Sequence, residues 1–250
     1  MIHGLYQSAA GMLTSEYRQD VVANNLANAD TPGFKREIAV FAERRPASEA
    51  GVRRGASDEL LRNMTGGIWL GRTETDFSEG THVQTDNPLD VALDGPGFLM
   101  VDVNGQKQLT RDGRLVMTPE GQLVSALDGA PVLGVGGAAI QLNPLSSTIA
   151  VTEEGRILQD GQPVAQLAVV DVPDARVLRK QGAVRFSFNE SQTTPGVARL
   201  KGGFIESSSA EAVPELVNMI ETSRAYQMNA RMIELQDQSI GRLLSVLTRA

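Results

Sequence analysis

The side chains that most often carry enzyme chemistry are scarce in this sequence of 250 residues. It contains no cysteine and only two histidines, His3 and His82, so disulfides, thiolate catalysis and cysteine metal sites are excluded. Neither histidine has a serine, an aspartate or a metal-ligand residue at a useful spacing, and no pair of carboxylates stands out for acid–base work. We therefore predict no catalytic residue, no cofactor and no metal, and expect that the protein is not an enzyme.

Two short segments resemble ligand-binding loops but are better explained as turns. Gly134-Val-Gly-Gly-Ala-Ala139 is rich in glycine, yet Ile140-Gln-Leu-Asn-Pro144 follows it, where a phosphate loop requires the start of a helix. Asp102-Val-Asn-Gly105 lacks the remaining ligands and the distal glutamate of a calcium loop. Both segments are typical of β-turns, and Asn104-Gly105 predicts a hairpin.

The composition excludes several classes of protein. The formal net charge of -7 and the isoelectric point near 5.0 argue against a nucleic-acid binder, because there is no basic excess to neutralise phosphates. No apolar run approaches the ~18 residues of a membrane span. The first residues lack a basic patch followed by an apolar core, so we expect no conventional secretory signal.

The longest regular pattern is at the C-terminal end, from about Val213 to Arg249. One heptad row is apolar, and its partner row is mixed. The apolar row is Met219, Tyr226, Ile233, Ile240 and Leu247, and the partner row is Leu216, Ser223, Ala230, Asp237 and Leu244. A helix of this length would measure roughly 55 Å at ~1.5 Å per residue, so its apolar row needs a partner. The alternative is a buried helix of an ordinary domain.

The N-terminal segment, from about His3 to Ala29, also has helical periodicity. Gly4 and Gly11 weaken this helix locally but allow another backbone to come close, and Pro32-Gly33 ends it. Three asparagines lie near its end: Asn24, Asn25 and Asn28. They either cap a frayed C-terminus or form a polar contact row, since each amide both donates and accepts hydrogen bonds.

The region between the two helices changes from an irregular to a period-two pattern. Residues 34–86 have poor periodicity and predict an extended connector with short strands. Residues 87–207 alternate in polarity, with turn residues every 8–12 positions or so, which indicates an antiparallel β domain. We predict an α+β fold in which residues 1–33 and 208–250 form a coiled-coil-like helix pair around this inserted all-β domain.

Several motifs, in the right order along nearly the whole chain, resemble bacterial flagellar rod and hook proteins. They are Tyr6-Gln-Ser-Ala-Ala-Gly-Met12, Ala23-Asn-Asn-Leu-Ala-Asn28, Thr31-Pro-Gly-Phe-Lys35, Leu89-Asp-Val-Ala-Leu-Asp-Gly-Pro-Gly-Phe98, Leu109-Thr-Arg-Asp-Gly113, Gly203-Phe-Ile-Glu-Ser207, Glu215-Leu-Val-Asn-Met-Ile220 and Arg224-Ala-Tyr226. The chain is most similar to the distal-rod type, with the proximal-rod paralogue second.

The resemblance implies a structural subunit of the basal-body rod, polymerising into a helical tube that transmits torque through the periplasm. It further implies export by the flagellar type III apparatus without a cleaved signal peptide. The implied partners are further copies of the chain, other rod and hook proteins and the export apparatus, with the surrounding periplasmic and outer-membrane rings as candidates. The alternatives are a hook or other axial component, or an independent soluble β-rich binding module.

The residues expected to form the subunit interface lie in the two terminal helices. They are Asn24, Asn25, Leu26, Asn28, Met219, Tyr226, Ile233, Ile240 and Leu247. In the rod, family members place their terminal helices around a central channel and the β domain outside it. These nine residues would then contact neighbouring subunits.

Overall fold

Two long helices flank a strand-rich middle in the computed structural model, which describes residues 2–43, 67–146 and 148–247. Helix α1 spans Ile2–Ala27, and helix α2 spans Ala212–Leu247. Both predicted helices and the α+β class are confirmed. Of the helices in the described ranges, neither long one nor any short one combines the length and apolar character needed to cross a membrane.

Seventeen strands, most of them short, lie among the described residues between the helices. Their bounds are β1 Glu37–Glu43, β2 Ile68–Thr75, β3 His82–Gln84, β4 Val91–Asp94, β5 Phe98–Val103, β6 Gln106–Thr110, β7 Leu115–Met117, β8 Leu123–Ser125, β9 Ile149–Val151, β10 Arg156–Gln159, β11 Gln162–Gln166, β12 Val169–Asp171, β13 Arg179–Gln181, β14 Arg185–Ser187, β15 Thr194–Pro195, β16 Arg199–Gly202 and β17 Phe204–Glu206. The largest sheet has the order β13-β14-β6-β5-β12-β15, with antiparallel neighbours throughout.

The chain divides into two compact units. A helical unit groups α1 and α2 with β1 and β2, and a β unit comprises residues 27–36 and 75–211. The predicted connector is therefore shared between the units, because β1 and β2 pair with each other and group with the helices. The domain limits drawn from the sequence, at 33/34, 86/87 and 207/208, stay predictions.

The β unit has an apolar core. Leu99, Val101, Leu115 and Ile157 are almost completely buried in its main cluster. A second cluster is aromatic: the ring centroids of Phe98 and Phe186 lie 5.8 Å apart, at an edge-to-face angle. Aromatic pairs of this geometry add to the stabilisation that burial alone provides.

Turn chemistry fixes the strand connections that the sequence predicts. Asn104 and Gly105 have φ angles of 54° and 80° and join β5 to β6, which confirms the predicted hairpin. In the glycine-rich segment, the Gly137 amide donates to the Gly134 carbonyl at 2.7 Å. This segment is a β-turn, as predicted.

Candidate functional site

Two glycines of α1 lie directly against side chains of α2. A Cβ atom added to Gly4 would lie 2.8 Å from Gln236 Nε2, and one added to Gly11 would lie 2.8 Å from Asn229 Oδ1. A step of seven residues forward on α1 thus matches a step of seven residues backward on α2. The helices are antiparallel along this contact, and the absence of side chains on α1 allows it.

A polar row on α2 lies on this contact face. Its members, seven residues apart, are Glu215, Thr222, Asn229 and Gln236. Thr222 Oγ1 donates to the Asn218 carbonyl at 2.7 Å, and Asn229 Nδ2 donates to the Ala225 carbonyl at 3.0 Å. Because these bonds return to the helix's own backbone, the polar side chains can be buried without partners on α1.

The partner heptad row described from the sequence is only partly covered in the chain, since Ser223 and Ala230 are half-buried. Leu216 and Asp237 of that row are exposed, and the Leu244 side chain lies outside the described residues. A search for apolar periodicity cannot find the polar row, which lies one position earlier on α2. The polar row is also imperfect, because Glu215 Oε2 and Gln236 Oε1 are buried without a hydrogen-bond partner, which costs free energy.

The predicted apolar row lies beside this polar row. Met219, Tyr226, Ile233 and Ile240 are all half-buried. Leu247 is the last residue of α2, and its side chain lies outside the described residues. These side chains are thus partly covered within one chain, and their predicted contacts with other subunits stay a prediction.

The face of α2 that points away from α1 is apolar and exposed to solvent, and its residues were not singled out from the sequence. Its apolar side chains are each more than half exposed: Val213, Val217, Ile220, Met228 and Leu235. At 100° per residue these positions project away from the face that contacts α1. The signal was available in the sequence as a second apolar stripe on the helix. We call these five residues the outer face of α2.

Asn25 uses both ends of its amide within the chain. Its Nδ2 donates to the Glu37 carbonyl at 2.8 Å, and its Oδ1 accepts from the Glu37 amide at 2.9 Å. Only 2% of Asn25 is exposed, so it ties the end of α1 to the start of β1. Asn24 is exposed, whereas Leu26 and Asn28 are half-buried.

The β unit contains a buried cluster of charges where the chain enters and leaves it. Lys35 Nζ lies 2.6 Å from Glu206 Oε1, and Arg111 Nη1 lies 3.2 Å from Glu206 Oε2. Burial lowers the pKa of the Lys35 ammonium from its ordinary value, although Glu206 opposes this shift. The backbone supports the cluster, since the Gly33 amide donates to the Glu206 carbonyl at 2.8 Å. We call Lys35, Arg111 and Glu206 the junction cluster.

The described residues contain no group of three or more histidines, aspartates and glutamates that could hold a metal ion. The junction cluster is closed to solvent, and its charges are paired with one another rather than presented to a ligand. The outer face of α2, with its exposed apolar side chains, is a candidate surface for contact with other chains.

Three family models match the chain along its length. "Flagella basal body rod protein" matches residues 5–35, "Flagellar hook protein FlgE/F/G D1 domain" matches residues 92–159, and "Flagellar basal body rod FlgEFG protein C-terminal" matches residues 201–246. The first and third cover parts of α1 and α2, and the second lies within the β unit.

Curated relatives align over almost the whole chain. The flagellar basal-body rod protein FlgG of Buchnera aphidicola subsp. Schizaphis graminum is 32% identical, over 97% of this chain and 99% of its own length. FlgF of Caulobacter vibrioides is 32% identical over 94% and 93%, and FlgG of Bacillus subtilis is 27% identical over 98% and 99%. The chain belongs to the flagellar basal-body rod protein family and is FlgG-like.

Proposed function

We propose that this chain is a structural subunit of the flagellar basal-body rod that polymerises through its two long helices. The observation that carries this proposal is the outer face of α2. Five apolar side chains there remain in water, on the side of the helix that faces away from α1. Fully burying such a side chain stabilises an assembly by about 1.5–3 kcal/mol, which gives the face a strong tendency to find a partner.

The inner contact between the helices supports the same proposal. Gly4 and Gly11 of α1 lie against polar side chains of α2, and the apolar row beside those side chains is only half-buried. A helix pair of this kind gains little stability by itself, and further burial on assembly completes it. We propose that α1 and α2 form a coiled-coil-like pair in the rod, with Met219, Tyr226, Ile233, Ile240 and Leu247 sealed by neighbouring subunits.

The remaining features of the proposal follow from family membership. The subunit would form a helical homopolymer that transmits torque, joined to other rod and hook proteins and close to the surrounding rings. It would reach the periplasm through the flagellar type III apparatus without a cleaved signal. Head-to-tail contacts that do not close into a ring build such an open assembly. We propose the distal-rod type and a role without catalysis.

The test is a matched pair of leucine-to-aspartate variants. Leu235, on the outer face of α2, is 56% exposed, and Leu145, in the β unit, is 89% exposed. Because both side chains are already in water, neither substitution should unfold the chain. Leu235→Asp should raise the concentration needed for assembly at least about tenfold, since a charge in an apolar interface is costly, whereas Leu145→Asp should leave it unchanged.

Assembly would be measured by sedimentation of the purified chain at rising concentration, with circular dichroism as the check on folding. Equal assembly by both variants would show that the outer face of α2 isn't the polymerising surface. A wild-type chain that stays monomeric at every concentration would contradict the proposal as a whole and favour the independent β-rich module.

A further inference from the structure

The outer face of α2 carries positive charges among its apolar side chains. Arg224, Arg231 and Arg242 project on this side of the helix at 100° per residue, and all three are exposed. Within the described ranges, no ion pair includes any of these three guanidinium groups. The surface therefore suits a helix that is apolar and acidic.

Helix α1 presents such a face on the side away from its glycines. Tyr6, Leu13 and Asp20 are spaced seven residues apart and are exposed, Tyr6 by 71% and Leu13 by 58%. Glu16, one turn before Asp20, is exposed as well. Tyr17 packs edge-on against Phe41 of β1, with ring centroids 6.2 Å apart, but this contact leaves the Tyr6–Asp20 row open.

We propose that the outer face of α2 binds the Tyr6–Asp20 row of α1 from a second copy of this chain. The helices run antiparallel, with Asp20 opposite Arg224 and Leu13 inserted between Met228 and Leu235. Tyr6 then lies level with Gln238, one helical turn before Arg242, whose long side chain can reach back over the ring. This inference rests on the proposed function and specifies which surfaces two subunits bring together.

The antiparallel direction follows from the kind of assembly. Copies stacked in an open helical array share one direction along its axis. Since α1 and α2 are antiparallel within a chain, α1 of a second copy must also run antiparallel to α2. A parallel match would need an inverted copy, which can form a closed pair but cannot extend a polar array.

The register follows from the side chains. Within one chain, Gly11 lies level with Asn229, so Asp20 lies level with Ile220. Moving the second copy by four residues, or ~6 Å along the axis, brings its Asp20 level with Arg224. Leu13 then enters the gap between two apolar residues one heptad apart, as a knob enters a hole. The apolar contacts carry the affinity, and the charges set the register.

Thiol cross-linking tests this register directly, because the natural chain has no cysteine. A chain with Asp20→Cys is mixed with a differently tagged chain with Arg224→Cys, so that only a contact between copies can join them. The linker should be ~8 Å long, close to the axial separation of packed helices. The matched control replaces Arg224→Cys by Glu234→Cys, a position that is exposed but lies on the flank of α2.

We expect the Asp20–Arg224 pair to cross-link at least about tenfold faster than the control, because fixed proximity raises the effective concentration. A charge exchange supplies a second measurement. Arg224→Asp should weaken association about fivefold through like-charge contact with Asp20, and adding chains with Asp20→Arg should restore it.

The outcomes separate this inference from the proposed function. If the chains assemble but the control pair cross-links as fast as the Asp20–Arg224 pair, the register is wrong and the proposed function stands. If Arg224→Asp doesn't weaken association, or Asp20→Arg doesn't restore it, the register is also wrong and the proposed function stands. If the wild-type chain doesn't associate at any concentration, both the inference and the proposed function are contradicted.

Discussion

At the scale of single residues, Glu206 compensates two buried cations. Its carboxylate accepts from Lys35 and Arg111 and also from the Gly80 amide, at 2.9 Å. Replacing Glu206 by glutamine would leave both cations buried without a counter-charge. We expect this variant to lower the free energy of unfolding by about 3–5 kcal/mol, measured by denaturant titration of the purified chain.

A solvent-exposed pair in the same unit is the control for this substitution. Glu190 lies 2.8 Å from Lys107, and the two side chains are 65% and 41% exposed. Glu190→Gln should cost less than about 1 kcal/mol, because exposed ion pairs contribute little. If the two variants lower the free energy of unfolding by similar amounts, burial doesn't increase the contribution of the junction cluster. The role assigned to Glu206 would then be wrong.

At the scale of elements, the contact between α1 and α2 depends on the absence of a side chain at Gly11. Asn229 occupies the space that a Cβ atom would need. Gly11→Leu should separate the helices and lower the free energy of unfolding of the helical unit by about 1–3 kcal/mol, despite the better helix propensity of leucine. Loss of the helix signal in circular dichroism during denaturant titration measures this change.

The control for Gly11 is Gly241, the glycine of α2. A Cβ atom there would meet nothing within 4 Å, so Gly241→Leu should instead stabilise the helix by up to about 1 kcal/mol. The two variants add the same side chain to helical glycines and differ only in what surrounds it. A loss of stability in both would point to glycine itself, rather than to the contact between the helices.

The elements that local rules specify were the ones that the sequence predicted well. The helices follow from periodicity, and the β5–β6 hairpin follows from the tolerance of Asn104 and Gly105 for positive φ. The contacts that could not be predicted join distant residues. Glu206 lies 171 positions from Lys35, and the polar row of α2 lies against glycines of α1, far away in the sequence. Hydrophobic periodicity carries no information about either.

The interface residues expected from the sequence stay a prediction. They lie on one face of α2, and the sequence analysis did not single out the exposed apolar side chains on the other face. Asn25 illustrates the reason: an amide suited to contacts between subunits forms both of its hydrogen bonds with Glu37, 12 residues away. Whether a polar side chain remains available for another chain depends on what the fold places beside it, and a single sequence doesn't state this.

At the scale of the whole molecule, the two units should respond differently to assembly. The β unit has an apolar core and the buried junction cluster, whereas α2 exposes apolar and arginine side chains along its outer face. Trypsin should therefore cut the monomer after Arg224 and Arg231, where local opening is cheap. It should spare Lys35 and Arg111, which are almost fully buried.

Of these four cleavage sites, assembly should change only Arg224 and Arg231. Burial of the outer face of α2 would protect Arg224 and Arg231, so peptides ending there should fall at least about tenfold in sedimented material, in line with the protection that binding provides. Lys35 and Arg111 are internal standards, because they should resist cleavage in both states. Mass spectrometry of matched digests gives the ratio. Rapid cleavage at Arg224 in the assembled state would place the outer face of α2 in solvent, and the helices would then have to meet their neighbours through other surfaces.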